Sequence, residues 1–66
     1  MTAIRTAVPP QLLSAKQLAE LLQVPVTTLY YWRHYGGGPR GIRVGKYIRY
    51  DAADVAAWIR ARKAAS

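Results

Sequence analysis

The residues of this sequence best suited to chemistry are cations and hydroxyls, and they gather in its middle. Arg33, Arg40, Arg43, Lys46 and Arg49 fall between Leu21 and Tyr50, a stretch with no carboxylate and a local charge of +5. The whole chain carries ten Lys and Arg against three acids, a net charge of +7, and Glu20, Asp51 and Asp54 all lie outside that stretch. Like charges held close repel one another, so a fold that concentrates them usually does so to meet a polyanion. The competing reading is a solvated basic face.

Other chemistries find little support. His34 is the one histidine, cysteine is absent, and the three acids stand at capping or solvent-exposed positions. That leaves no convincing acid–base pair and no metal set, and the run Gly36 to Gly38 lacks the Lys-Ser/Thr of a phosphate-cradling loop. The expectation is a protein that is not an enzyme and uses no cofactor or metal. The lack of thiols is compatible with a reducing compartment. No run approaches the ~18 apolar residues of a membrane span, and Met1 to Val8 holds no apolar signal core, so a cytoplasmic protein without membrane association is expected. With 66 residues the chain makes one domain. Such a domain buries only ~60% of its unfolded surface and needs its large apolar residues for the core.

The elements that must position the cations are legible from pattern. Residues 1–11, with Pro9 and Pro10 and no periodicity, read as a flexible arm. Residues 12–62 read as the folded domain and residues 63–66 as a basic tail. Ser14 and Gln17 form a capping box, and Ala15, Leu18, Ala19 and Leu22 make the apolar stripe of a first helix. Gln23 to Pro25 mark a tight turn, since proline disfavours helix in the residue before it yet suits the start of the next helix. A second helix over Val26 to about Tyr35 is a poor helix former alone and must be held by packing of Leu29 and Trp32. Gly36 to Gly38 end it in a flexible joint, and Pro39 prevents resumption.

The period then changes. Ile42-Arg43-Val44 and Tyr47-Ile48-Arg49-Tyr50 alternate by two around Gly45-Lys46, which predicts a two-stranded hairpin with Ile42, Val44, Ile48 and Tyr50 inward. Arg43, Lys46, Arg49 and Tyr47 are expected outward, the three cations along one edge. Asp51 caps a last helix, with Asp54 in its first turn and Val55, Trp58 and Ile59 as its buried stripe. Arg60, Arg62 and Lys63 near its end suit the helix dipole and are also a candidate partner surface.

With Leu29 and Trp32 inward, a turn of ~100° per residue leaves Thr27, Tyr30, Tyr31 and His34 on the far side of the second helix. Thr27, Thr28, Tyr30, Tyr31, Arg33 and His34 are the candidates for reading base edges in a major groove. Arg40, Arg43, Lys46 and Arg49 are the candidates for phosphate or narrow minor-groove contact. The alternatives are tyrosines that serve the core, a histidine that caps the helix, and an edge strand charged to prevent aggregation.

The stretch Leu13-Ser14-Ala15-Lys16-Gln17-Leu18-Ala19-Glu20-Leu21-Leu22, then Val24-Pro25 and Thr27-Thr28-Leu29-Tyr30-Tyr31-Trp32, resembles the helix-turn-helix of the phage excisionase and MerR-like winged-helix superfamily. Gly38-Pro39, Ile42-Arg43-Val44-Gly45-Lys46, Ile48-Arg49-Tyr50 and Asp54-Val55 to Trp58-Ile59 resemble its wing and closing helix. The resemblance covers residues 12 to 60. It implies a mainly α fold with a small β-hairpin, a winged helix-turn-helix, whose recognition helix carries Thr27, Tyr30 and Tyr31 and whose wing carries Arg43, Lys46 and Arg49. Pro25 stands where many relatives have a serine or other cap, and Val26 and Tyr31 where they often have a basic residue. Specificity then leans on tyrosine contacts, Arg33 and DNA shape.

A single reader of this size buries on the order of 600 to 1,000 Å² on DNA and gains limited specificity alone. The sequence ends a few residues past Ile59, without the long dimerisation helix of MerR-type regulators or an effector-sensing domain. The expectation is therefore an excisionase-like architectural protein on double-stranded DNA in a bacterial host. It would self-associate cooperatively along repeated sites, bend the DNA and direct a phage integrase toward excision. A small transcription regulator on operator repeats is the alternative within the fold, and a basic RNA-binding domain the alternative outside it.

Overall fold

Ser14 starts the first helix as its residue type and Gln17 dictate. In the computed structural model, which describes residues 11–66, the Ser14 hydroxyl accepts from the Gln17 amide at 3.1 Å and the Gln17 side chain accepts from the Ser14 amide at 2.9 Å. The elements in chain order are β1 (Leu12–Ser14), α1 (Ala15–Leu22), α2 (Val26–Tyr35), β2 (Ile42–Val44), β3 (Tyr47–Asp51) and α3 (Ala52–Ala65). The Asp51 carboxylate accepts from the Ala53 amide at 3.0 Å and caps α3. Residues 1–10 of the expected arm lie outside the described residues. Gln11, its last member, is tied into the fold, because its carbonyl accepts from the Ala52 amide at 2.9 Å.

The turn between α1 and α2 is built without glycine. Gln23 takes φ 60, its amide donates to the Glu20 carbonyl at 3.3 Å, and the Val24 amide donates to the Ala19 carbonyl at 3.0 Å. This pair of bonds satisfies carbonyls that the end of α1 would otherwise leave free, and Val24 folds back on the core beside Ala19. Pro25 then opens α2 with no side-chain cap bond; the Thr28 amide instead donates to the Pro25 carbonyl at 2.9 Å.

Strand β1 is an addition to the expected two-stranded wing. The sheet has three antiparallel strands in the order β1-β3-β2, with Leu12 opposite Asp51, Leu13 opposite Tyr50 and Ser14 opposite Arg49. Its other half corrects the expected facing of the hairpin. Val44 pairs with Tyr47, Arg43 with Ile48 and Ile42 with Arg49. Antiparallel partners share a face of the sheet, and alternation continues along each strand. Ile42 and Val44 therefore lie with Tyr47 and Arg49 on the outer face, not inward, and are 40% and 46% exposed. Arg43 shares the inner side with Ile48 and Tyr50 but is itself exposed on the edge strand β2. The cause is the two-residue turn Gly45-Lys46, with Gly45 at φ 64, which pairs the residues directly flanking it and so reverses the parity between the strands.

The core is small. Leu18, Ala19, Leu29, Tyr50 and Val55 are buried, and Leu13, Leu22, Val24, Trp32, Ile48 and Ile59 pack against them. Burial pushes the Tyr50 phenol above its ordinary value of 10.0; the Arg33 guanidinium opposes that shift and Tyr30 adds to it. In the unfolded chain Tyr50 ionises near pH ~10, whereas the folded chain holds its proton to higher pH. The stability this residue supplies is thus intact below that pH and lost as pH rises beyond it. Tyr50→Phe keeps the ring, and chemical denaturation followed at pH 8 and above pH 10 is expected to show a shallower alkaline loss than in the parent. Parallel losses in both proteins would remove Tyr50 as the cause.

Residues 63–65, expected as tail, form the last turn of α3, which runs to Ala65. Alanine, arginine and lysine are among the best helix formers, so the helix continues where the apolar stripe has ended. Among the described residues the architecture is three helices and a small antiparallel sheet, the winged helix-turn-helix expected from the sequence.

Candidate nucleic-acid interface

Leu29 fixes which side of α2 faces outward. It is 1% exposed and packs in the core, and Trp32 one turn later packs beside it. The opposite side presents Thr27, Tyr31, His34 and Tyr35, all exposed, with Tyr30 exposed to one flank and Thr28 half-buried on the other. Tyr31 and Tyr35 stack with ring centres 4.7 Å apart, and His34 meets Tyr35 edge-on at 4.7 Å. The tyrosines are therefore surface residues and not core. Thr27, Thr28, Tyr31 and Trp32 line an open hollow of about 520 Å³ on this face. Tyr35 did not enter the sequence-based set, although its position four residues after Tyr31 puts it on the same side of a helix.

Arg33 departs from this outer side. It lies closer to the direction of Leu29 than to that of Tyr31, and a Cβ at Gly41 would sit 3.1 Å from its guanidinium and 3.1 Å from the Tyr50 ring. Arg33 thus bridges α2 to the root of the wing, its side chain exposed.

The joint after α2 is anchored instead of free. Gly36 and Gly37 take φ 93 and 110, which only glycine adopts readily, and the Gly37 carbonyl accepts from the Trp58 indole at 3.2 Å. Trp58 lies 5.4 Å from Trp32, and the Arg62 guanidinium sits over the Trp58 ring at 5.3 Å. A Cβ at Gly38 would overlap the Trp32 ring and its Cβ. Because Trp58 backs Trp32, the indole has little freedom to yield. Gly38→Ala is expected to cost ~1 to 3 kcal/mol by overpacking, measured by thermal or chemical unfolding. An unchanged unfolding midpoint would show that Trp32 moves aside freely.

The wing cations are distributed, not aligned. Lys46 is at the turn, Arg43 on the inner side of β2, and Arg49 on the outer face of β3. The expected single edge of Arg43, Lys46 and Arg49 is corrected by the same parity that exposes Ile42 and Val44. Tyr47 organises two of them: the Arg49 guanidinium lies 5.0 Å and the Lys46 ammonium 5.9 Å from its ring centre. Arg49 also donates to the Ile48 carbonyl at 2.9 Å, so its fork is held at a defined place on the sheet. Arg40 is exposed directly after the buried Pro39, between α2 and the hairpin. Arg43 lies on an edge strand, where a charge also discourages pairing with another chain.

The arrangement joins a helix with an uncharged, hydroxyl-bearing outer face to a hairpin ringed by cations. The model of the helix-turn-helix domain matches residues 12–63, which spans both. The chain belongs to the helix-turn-helix domain family. This helix-turn-helix domain binds double-stranded DNA, with α1 and α2 as its two helices. Comparison with curated proteins finds no match. Among the described residues no helix is long and apolar enough to cross a membrane, and no group of His or acidic residues is placed to hold a metal ion.

Proposed function

We propose that this helix-turn-helix domain is an architectural DNA-binding protein of the excisionase kind, with no chemistry of its own. Copies bind repeated sites cooperatively, bend the duplex and direct an integrase toward excision. One observation carries the reading: the outer face of α2 offers Thr27, Tyr30, Tyr31 and His34 without a charged side chain, while Arg40, Arg43, Lys46 and Arg49 surround the hairpin. Charge on the wing supplies affinity that is indifferent to sequence, and an uncharged helix supplies limited discrimination. A single domain of this size buries on the order of 600 to 1,000 Å² on DNA, so selectivity has to be multiplied by neighbours on the same duplex. The resemblance of residues 12 to 60 to excisionases points the same way.

The test is a footprint of the purified protein on a phage attachment region, with and without integrase, scored for tandem protection and for bending by gel mobility. Protection at repeats, a bend and a stimulated excision reaction support the proposal. One isolated protected site with no bend counts against it. Occupancy of a promoter with an effect on transcription and none on recombination would make the domain a small transcription regulator. RNA competing as well as duplex DNA would displace both readings.

A further inference from the structure

The open hollow on α2 has a composition that selects one kind of base-pair feature. Its lining is Thr27, Thr28, Tyr31 and Trp32, two side-chain methyls and two rings, with hydroxyls and an indole as its only polar groups. In the major groove, guanine is read by the forked donors of Arg or by Lys, adenine by Asn or Gln, and cytosine by the acceptors of Asp or Glu. None of these residue types stands between Pro25 and Trp32. Arg33, the next in sequence, reaches toward Gly41 and the wing root. What remains to be read by methyl and ring surface is the 5-methyl group of thymine.

The hollow is also firmly built. Trp32, its inner wall, is backed by Trp58 at 5.4 Å and pressed on Gly38, and Tyr31, its outer wall, is stacked on Tyr35 at 4.7 Å. An apolar recess on an exposed helix face, walled by two packed rings, suits a methyl group presented by a duplex. It is too open to enclose a free small molecule.

We infer that this hollow receives thymine 5-methyl groups in the major groove and is the main source of the domain's sequence preference. The inference rests on the reading of α2 as the recognition helix. Thr27 and Tyr31 make the contact, and Trp32 is a positioning residue that sets the depth of the recess.

The test uses the full chain and a duplex selected by it from a random-sequence pool, made again with each thymine in turn replaced by uracil. That change removes the methyl and leaves the hydrogen-bonding edges of the base pair intact. Affinity is expected to fall about fourfold at one or two positions, the factor that goes with burying one methyl-sized group, and to be unchanged elsewhere. Thr27→Ser, which loses a methyl and keeps the hydroxyl, is expected to shrink the thymine-to-uracil ratio at one of those positions while the salt dependence stays the same. Equal affinity for the thymine and uracil duplexes, with a steep salt dependence intact, overturns this inference and leaves the DNA-binding reading standing. Equal affinity together with a concentration-dependent dimer in sedimentation would assign the face to a second copy of the chain. A protein that enriches no duplex from the pool sinks both the inference and the reading beneath it.

Discussion

Raising monovalent salt from ~50 to ~200 mM is expected to weaken duplex binding about 250- to 1,000-fold, because ~4 to 6 phosphate contacts per chain give a log–log slope of roughly −4 to −5. The contacts are expected from Arg40, Arg43, Lys46 and Arg49, with Arg33 at the wing root. None of them is fully buried, and the sequence from Leu21 to Tyr50 offers no carboxylate to compete with phosphate for them. Fluorescence anisotropy on one duplex over a salt series measures the slope directly. A slope near zero would mean that the cations serve only to solvate the hairpin and to protect the edge strand β2.

Single substitutions divide that slope. Lys46→Ala, at the exposed turn, is expected to weaken binding to all duplexes about equally and to reduce the slope by ~1. Arg49→Ala is expected to do the same with an added loss, since it also removes the guanidinium that lies over Tyr47. Arg49→Lys separates the two effects: it keeps the charge and loses the planar stack and fork. Changes on α2 are expected to differ in kind. Thr27→Ala or Tyr31→Ala changes the preference among sequences and leaves the slope alone. Wing and helix variants that all bind like the parent would overturn the docking geometry.

What the sequence made legible was whatever is decided within one turn of chain. The Ser14–Gln17 capping box, the Asp51 cap and the glycines ending α2 each depend on residues a few positions apart, and each is present. The family-level resemblance likewise rested on such local signals. Strand β1 was hidden because its three residues pair with Arg49 to Asp51, far along the chain, with no turn between them to announce the pairing. Gln23 was hidden for another reason. Its left-handed backbone is a glycine role filled by a residue that gives no glycine signal. The hairpin shows how a correct element can carry a wrong face: both strands alternate by two, but only the pairing of Val44 with Tyr47 decides which alternate set of one strand joins which of the other.

The outward side of α2 was more legible than the facing of the hairpin because a helix needs only one inward residue to orient all the rest. Leu29 set that direction, and Thr27, Tyr31 and His34 follow from 100° steps. The same step places Arg33 nearer the inner side, so its contact with the wing root was available from the periodicity that set the tyrosines outward. Trp32 was expected only as a core residue, and it is also a wall of the hollow, since a ring at the boundary of the core has one face for each role.

Leu29→Ala is expected to leave the free protein largely unfolded at 25 °C. Leu29 is 1% exposed in the core cluster with Leu18, Ala19, Tyr50 and Val55, and Leu→Ala at such sites costs ~2 to 5 kcal/mol, from lost transfer energy and the cavity that remains. A core below ~70 to 80 residues with no disulfide or metal rarely supplies more than ~3 to 5 kcal/mol, so this one change is comparable to the whole. Far-ultraviolet circular dichroism measures the helix lost, and Tyr30→Ala, at a residue 59% exposed, serves as the comparison expected to change stability by less than ~0.5 kcal/mol. A cooperative transition for Leu29→Ala at the parent midpoint would mean that the core is not where Leu29 places it. The variant also tests the link from packing to function. Leu29 orients the outward face from within the core, and a ligand that binds only the folded state stabilises it by ~2.7 kcal/mol at 100 times its dissociation constant. Excess duplex is therefore expected to restore helix to Leu29→Ala with weakened apparent affinity. Duplex that restores no helix, in a variant that still binds with the parent's sequence preference, would separate recognition from the fold and contradict the role given to α2.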